Sequence, residues 1–270
     1  MTKPFDAKEW QEFTQDERKK LNEVAYKNEL ARCKDKFTVQ ESKLFHIVVS
    51  KLKPHSKNEP IISLNKSEIF DYLGLTGDDR YRRYREIIRN LKSKTLLEFK
   101  VPLTGDEYSG AVIVSSRWNT GKSEVYIGLD PLLMPFLEEL AVTGRYTTVY
   151  LESVLKFNSK HAMKLYQWCK SWALGFESAR YVTTSELKNM FDIGDDEYIV
   201  SGKFHRSSFE KKTIDRAILE INQKTELRIE YEKLKKHGVV IRYNFRIFDL
   251  GKDYAQDMLD FQMKLDIKDQ

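Results

Sequence analysis

The sequence predicts an α+β fold in which a helix–turn–helix module with a β-hairpin is repeated in tandem. Three observations lead there. First, SEIFDYLGLTGDD, residues 67–79, matches SELKNMFDIGDD, residues 185–196, at an offset of 118 residues. Both begin Ser-Glu, continue with apolar residues and end Gly-Asp-Asp. Second, the same offset sets Leu44, Phe45, Ile47 and Val48 against Ala162, Met163, Leu165 and Tyr166. Third, each copy leads into a helix with an apolar ridge opposite a basic one. A further match, LKSKTLLEF (91–99) against INQKTELRI (221–229), has an offset of 130, so the second copy carries 12 extra residues, EYIVSGKFHRSS. Such repeats are read before anything else, because missing one misassigns the whole fold.

Each module has the same element order. A helix comes first, over 38–52 and 159–172, then a short strand, 61–64 and 180–183. A short helix follows. Asn65 with Glu68, and Thr183 with Glu186, have the spacing of a capping box, in which side chains satisfy the free N–H groups of a helix start. Gly74 and Gly194 are expected to end these helices. The long basic helix is next, over 78–95 in the first copy. In the second it is expected from Ser207, which again has a glutamate, Glu210, three residues on. A hairpin closes each module. LLEFKVPL pairs with AVIVSSRW in the first, with a further strand SEVYIGL. LRIEYEK pairs with VVIRYNFRIF in the second, around KKHG, whose glycine suits a tight turn. This is the plan of a winged-helix domain, so the chain reads as two tandem winged helices related by duplication. PLLMPFLEEL, 131–140, reads as a helix after the first hairpin, and AVTGRY, 141–146, as the boundary. The expected division is an extension over 1–24, a first domain over 25–143, a second over 144–250 and a tail over 251–270.

On a helical wheel, Tyr84, Ile87, Ile88 and Leu91 fall together, and Arg82, Arg85 and Arg89 fall opposite. In the second copy, Lys212 and Arg216 oppose Ile214, Ile218 and Ile221, with Lys211 beside them and Lys203 and Arg206 just before the helix. A basic face on one helix is commonly a solvated face. Two, in equivalent places of a repeated module, point to a polyanion. In a helix-turn-helix the second helix enters the major groove, and arginine's rigid fork of donors matches guanine or phosphate. Lys235 and Lys236, with His237 at the second hairpin tip, are placed to touch flanking backbone. The candidate DNA-binding residues are therefore Arg82, Arg85, Arg89, Lys203, Arg206, Lys211, Lys212, Arg216, Lys235 and Lys236.

Composition is consistent with this. Of 270 residues, 41% are hydrophobic and 32% charged, and the net charge of +5 only weakly favours an anionic partner. Where the cations sit matters more than their sum. Two cysteines, Cys33 and Cys169, fit a reduced cytoplasm. No run approaches the ~18 apolar residues of a membrane span, and the N-terminus lacks a secretory core. A cytoplasmic protein without a membrane partner is expected.

Enzyme chemistry finds little support. Gly121-Lys122-Ser123 invites a phosphate-loop reading, but the motif needs glycine at the place of Ser116. The segment reads more simply as strand–turn–strand. His46, His55, His161, His205 and His237 are scattered, and no HxH, HExxH or Cys/His cluster appears. No cofactor, metal or catalytic residue is expected. A rolling-circle nicking enzyme would need the missing HxH beside its tyrosine.

The residues also resemble a known family. KNELARCKDKFTVQESKLFHIVVSKLKP, 27–54, looks like the opening of the iteron-binding, theta-type plasmid replication initiators. SKHAMKLYQWCKSW, 159–172, is similar to their SKYAxRLYELL helix, and SFEKKTIDRAILEINQKTEL, 208–227, to their FKRRVIDPAxxEIN recognition helix. The resemblance covers about residues 25–250. Arg216 departs from it, standing where the family often has proline, and lengthens the basic face. The resemblance implies several things. The partner is double-stranded DNA, at direct repeats (iterons) of a plasmid origin. Both winged helices contact one repeat, the second carrying more of the base reading. Monomers open the origin and work with the host replicative helicase and host initiator. Dimers, joined through the first module, repress the initiator's own gene. Lys211, Lys212 and Arg216 read bases or phosphates, and Arg82, Arg85 and Arg89 serve the other half of the repeat. A tandem winged-helix transcriptional repressor without initiator activity is the alternative, and a protein scaffold with no DNA role is a further one.

Overall fold

The computed structural model describes residues 23–52, 59–93, 97–100, 105–119, 121–138, 146–173 and 177–249. The expected tail, nearly all of the N-terminal extension and nearly all of the 141–146 boundary lie outside them.

The first module opens with strand β1 (Glu23–Lys27), helix α1 (Asn28–Arg32) and strand β2 (Lys34–Asp35). Helix α2 (Val39–Val49) follows. Thr38 starts it with a full capping box: its hydroxyl accepts from the Glu41 N–H at 3.3 Å, and the Glu41 carboxylate accepts from the Thr38 N–H at 2.9 Å. α2 is buried along almost its whole length, as the first helix of a three-helix core must be. Strand β3 (Ile61–Asn65) and helix α3 (Lys66–Leu73) come next. The capping box expected at Asn65 does not form, and a simple N-cap takes its place. Asn65 accepts from the Ser67 N–H at 2.9 Å, while Glu68 turns to Lys51 Nζ at 2.6 Å, where it meets a full charge. Gly74 ends α3 in the left-handed region, φ 61°, which a residue without Cβ enters at least cost. Helix α4 (Arg80–Ser93) is the basic helix. It seats Tyr84, Ile87, Ile88 and Leu91 in the core, the four residues the wheel selected.

Strands β4 (Leu97–Lys100), β5 (Glu107–Gly110), β6 (Ile113–Trp118) and β7 (Glu124–Leu129) correct the expected hairpin. β4 pairs with β5, Leu97 opposite Gly110, and with β2. β6 pairs with β7, and β7 with β3, giving an antiparallel sheet of order β3–β7–β6. The physical reason is burial. Val125, Ile127 and Leu129 of β7 are almost wholly buried, so this strand takes the centre with a neighbour on either side. β5 is short and polar and sends no apolar signal. The true wing of the first module is β6–β7, and β2–β4–β5 is an insertion. Helix α5 (Met134–Glu138) closes the module.

The second module begins with β8 (Tyr146–Tyr150) and helices α6 (Leu151–Lys156) and α7 (Lys160–Trp172). β9 (Glu177–Val182) and α8 (Thr184–Met190) follow, and here the Thr183–Glu186 capping box is complete. The left-handed residue after α8 is Asp192, φ 53°, in place of the expected Gly194, since aspartate tolerates that conformation. The 12 extra residues contain a small hairpin, β10 (Ile199–Val200) and β11 (Lys203–Phe204), turning at Ser201 and Gly202 with φ of 51° and 72°. The recognition segment runs as α9 (Arg206–Glu210), a π turn (Lys211–Asp215) and α10 (Arg216–Lys224). β12 (Leu227–Lys236) and β13 (Val239–Asp249) form the wing, in a sheet of order β12–β13–β9. Both modules thus share one topology, with the strand after the first helix paired to the second wing strand. The offset of 130 holds over the basic helices, setting buried Tyr84, Ile87 and Leu91 against buried Ile214, Ala217 and Ile221, and fails beyond them: it aligned β4 with β12, whereas β6 holds the equivalent place.

The modules are joined by more than a linker. β1 pairs with β8 along its full length, Glu23 opposite Tyr150 and Lys27 opposite Tyr146, and so crosses the expected start at residue 25. α1 packs on α7, where the Arg32 guanidinium lies 3.4 Å from the centre of the Trp172 ring and donates to the Ser171 carbonyl at 2.6 Å. The buried apolar residues of both modules form one cluster.

Candidate nucleic-acid interface

Each candidate surface starts from a helix held by its apolar side. On α4 the core residues occupy one face, so geometry alone puts Arg82, Arg85 and Arg89 outward, and all three are exposed. Arg82 makes one surface pair, 3.2 Å from Asp79. Around the helix start an aromatic cluster fixes its pose. Phe70, Tyr81, Tyr84 and Trp118 meet at centroid distances of 5.0–6.4 Å. Lys66 sits 4.3 Å from the Trp118 ring and donates to the Asn119 carbonyl at 2.5 Å, tying α3 to the wing. Burial pushes the Tyr84 phenol well above its ordinary range, so it stays neutral.

Between the wing turn Gly121–Ser123 and the first residues of α4 lies an open groove of about 500 Å³, lined by Asn65, Lys66, Ser67, Arg80, Lys122 and Ser123 among others. Arg80 and Lys122 were missed as candidates. Lys122 lies in the triplet set aside as an incomplete phosphate loop. Its actual place is the tip of a wing, where an exposed cation faces whatever α4 faces. The signal is the strand–turn–strand already read over this segment, whose turn is a wing tip once β6 and β7 are taken as the wing.

In the second module the recognition segment buries Phe209, Thr213, Ile214, Ala217 and Ile221 and exposes Lys211, Lys212, Asp215, Arg216 and Leu219. Ile218 is only half-buried. The helix starts at Arg206, and the Ser207–Glu210 capping box does not form. Glu210 is drawn into the core instead, accepting from the Tyr243 hydroxyl at 2.8 Å and pairing with Lys233. The π turn coincides with Lys211 and Lys212. Within it the Thr213 hydroxyl donates to the Phe209 carbonyl at 2.6 Å. Such turns recur at functional sites because they re-aim side chains that a regular helix would hold in another direction. The Tyr231 hydroxyl donates to Asp215 at 2.8 Å, so this acid in the basic ridge is held by the wing strand.

The remaining candidates divide. Lys203 on β11 is exposed, and so are Lys235 and Lys236 at the wing tip, where His237 and Gly238 turn the chain at φ of 51° and 79°. Arg206 differs. It is half-buried, and its guanidinium donates to the Thr184 hydroxyl at 2.8 Å and the Tyr243 hydroxyl at 2.9 Å. The structure makes it a fastener between α8, α9 and β13. Each module thus carries exposed cations on its recognition helix and at its wing turn, the means of holding a polyanion. Among the described residues no helix is long and apolar enough to cross a membrane.

The family model described as "Initiator Replication protein, WH1" matches residues 23–170, and that described as "Initiator Rep protein, WH2" matches residues 183–247. Among solved structures, the chain is similar to the crystal structure of the Pi initiator protein in complex with iteron DNA. The TM-score is 0.70 at 15% identity, over 85% of this chain and 98% of that one. Domains 2 and 3 of RctB match at a TM-score of 0.47 and 12% identity, over 79% of this chain and 82% of that one. Comparison with curated protein sequences returned no match.

Proposed function

Because this chain belongs to the initiator replication protein family, the theta-type plasmid replication initiators, we propose that it binds iterons at its plasmid's origin. Both recognition helices engage one repeat: α4 through Arg82, Arg85 and Arg89, the α9–α10 segment through Lys211, Lys212 and Arg216. The observation that carries this reading is the outward basic ridge on both modules, each backed by a buried apolar ridge. Lys203, Lys235 and Lys236 neutralise phosphates, which gives affinity and a steep salt dependence through counterion release. Base edges met by Lys212 and Arg216 give specificity. The similarity to an initiator solved on iteron DNA supports the same assignment.

On this reading the protein opens the origin by holding and deforming DNA, with no covalent step of its own. It recruits the host replicative helicase and host initiator, and as a dimer it represses its own gene. The test is a plasmid carrying only this gene, its flanking DNA and a selectable marker, introduced into a host. Replication that stops when the gene is interrupted is expected. Binding to the flanking repeats without replication would leave a repressor only.

A further inference from the structure

The basic ridge of the second recognition segment contains one apolar member. Leu219, in α10, is 58% exposed. It lies three residues after Arg216 and seven after Lys212, both exposed, and on the side away from the buried Ala217 and Ile221. Single exposed leucines are ordinary on protein surfaces. This one is placed differently, because it shares its face with the cations Lys212 and Arg216, the one acid among them, Asp215, being held by the Tyr231 hydroxyl. In the major groove every base edge presents hydrogen-bonding groups, and only thymine adds an apolar one, its C5-methyl. A leucine brought against guanine, adenine or cytosine would strip water from polar edges and return no hydrogen bond. Against thymine it covers a methyl group.

We propose that Leu219 is a specificity residue that reads a thymine in the repeat by packing on its C5-methyl group. Lys212 and Arg216 bring the helix into the groove, and Leu219 selects the base one turn beyond. This rests on the DNA-binding reading above.

The test uses the full chain. A duplex site is first selected from a random pool. The selected site is then resynthesised with each thymine replaced in turn by deoxyuridine, which removes only the methyl group. At one position the replacement should weaken binding by the unmodified protein about fourfold, the ratio given by ~0.8 kcal/mol for one buried carbon. Leu219→Ala should bind that site equally well with thymine or deoxyuridine there. Being exposed, the position should tolerate alanine with no change in melting temperature. Lys212→Ala, weaker on the whole site, should retain the deoxyuridine effect. The inference falls if no thymine shows the effect, if Leu219→Ala keeps it, or if Lys212→Ala loses it as well. A pool that yields no enriched sequence overturns the DNA-binding reading itself, and this inference with it.

Discussion

Lys164 Nζ lies 2.6 Å from Asp35 Oδ2, with the two side chains 8% and 15% exposed, so a nearly dry ion pair joins α7 of the second module to β2 of the first. Burial alone would pull the Lys164 amine down. The carboxylate beside it more than offsets this and leaves its pKa raised. Together with Arg32 on Trp172 and the β1–β8 ladder, the pair holds the two modules at one setting.

Breaking that pair should be costly. Asp35→Asn leaves a buried ammonium without its counter-charge, and loss of one partner in such a pair costs about 3–5 kcal/mol. The unfolding free energy from urea denaturation should fall by that amount. Replacing both residues with apolar ones should recover much of it. A shift under about 1 kcal/mol for Asp35→Asn would mean the pair is solvated.

Acid should destabilise the first module through His46. The ring is fully buried, with its Nδ1–H donating to the Ser42 carbonyl at 2.7 Å and Nε2 accepting from the Tyr26 hydroxyl at 3.2 Å. Burial pulls its pKa down to about 4, against the opposing Ser42 bond. The folded pKa is depressed, so the unfolded chain takes the proton first. Stability is full above the unfolded value near 6.5 and declines as pH falls toward 4, by at most about 1.4 kcal/mol per pH unit for this group. His161, also lowered to about 4 by burial and by Lys160, adds an effect of the same sign. Stability measured at pH 7, 5.5 and 4.5 should show the decline, and His46→Gln should make it shallower. An unchanged slope in that variant would contradict a buried neutral ring.

The core of the recognition segment should fail at Ile214 before Ile218. Ile214 is fully buried, and Ile214→Asp places an unpaired charge there, so cooperative unfolding of the second module should be lost. Ile218 is half-buried, and Ile218→Asp can keep its carboxylate at the surface. Its melting temperature should fall less. Equal losses would show that the helix is rotated relative to the face described.

Much of this was legible in the sequence because amphipathic periodicity is a local signal. Tyr84, Ile87, Ile88 and Leu91 announced the buried face of α4, and with it the outward arginines. Thr183 and Glu186 announced a cap that forms in full. What was not legible depends on distant partners. Glu210 has the right spacing to cap with Ser207, but Tyr243 and Lys233, far along the chain, claim it. Arg206 reads as a ridge cation until Thr184 and Tyr243 turn it inward. The β4–β6 pairing failed for the same reason: which strand β6 joins depends on β7 needing two neighbours, and the short polar β5 hides from any apolar pattern.

The cations should separate by kind. Lys212→Ala should weaken binding to the selected repeat by about 1–3 kcal/mol and relax specificity at one position. Lys235→Ala should weaken binding on all sequences alike and lower the salt slope by about one unit. Arg206→Ala should act through the fold, lowering stability as its bonds to Thr184 and Tyr243 are lost. Titrations at several salt concentrations, paired with melting curves, distinguish the three. If Arg206→Ala weakened binding with no loss of stability, it would return to the interface.

The most direct test of two basic helices addressing one duplex is methylation interference at guanine N7 with monomeric protein on a single repeat. Two clusters of major-groove interference are expected, about one helical turn, ~10 base pairs, apart. Arg85→Ala with Arg89→Ala should erase one cluster, and Lys212→Ala with Arg216→Ala the other. A single cluster, indifferent to the arginines of α4, would contradict that arrangement.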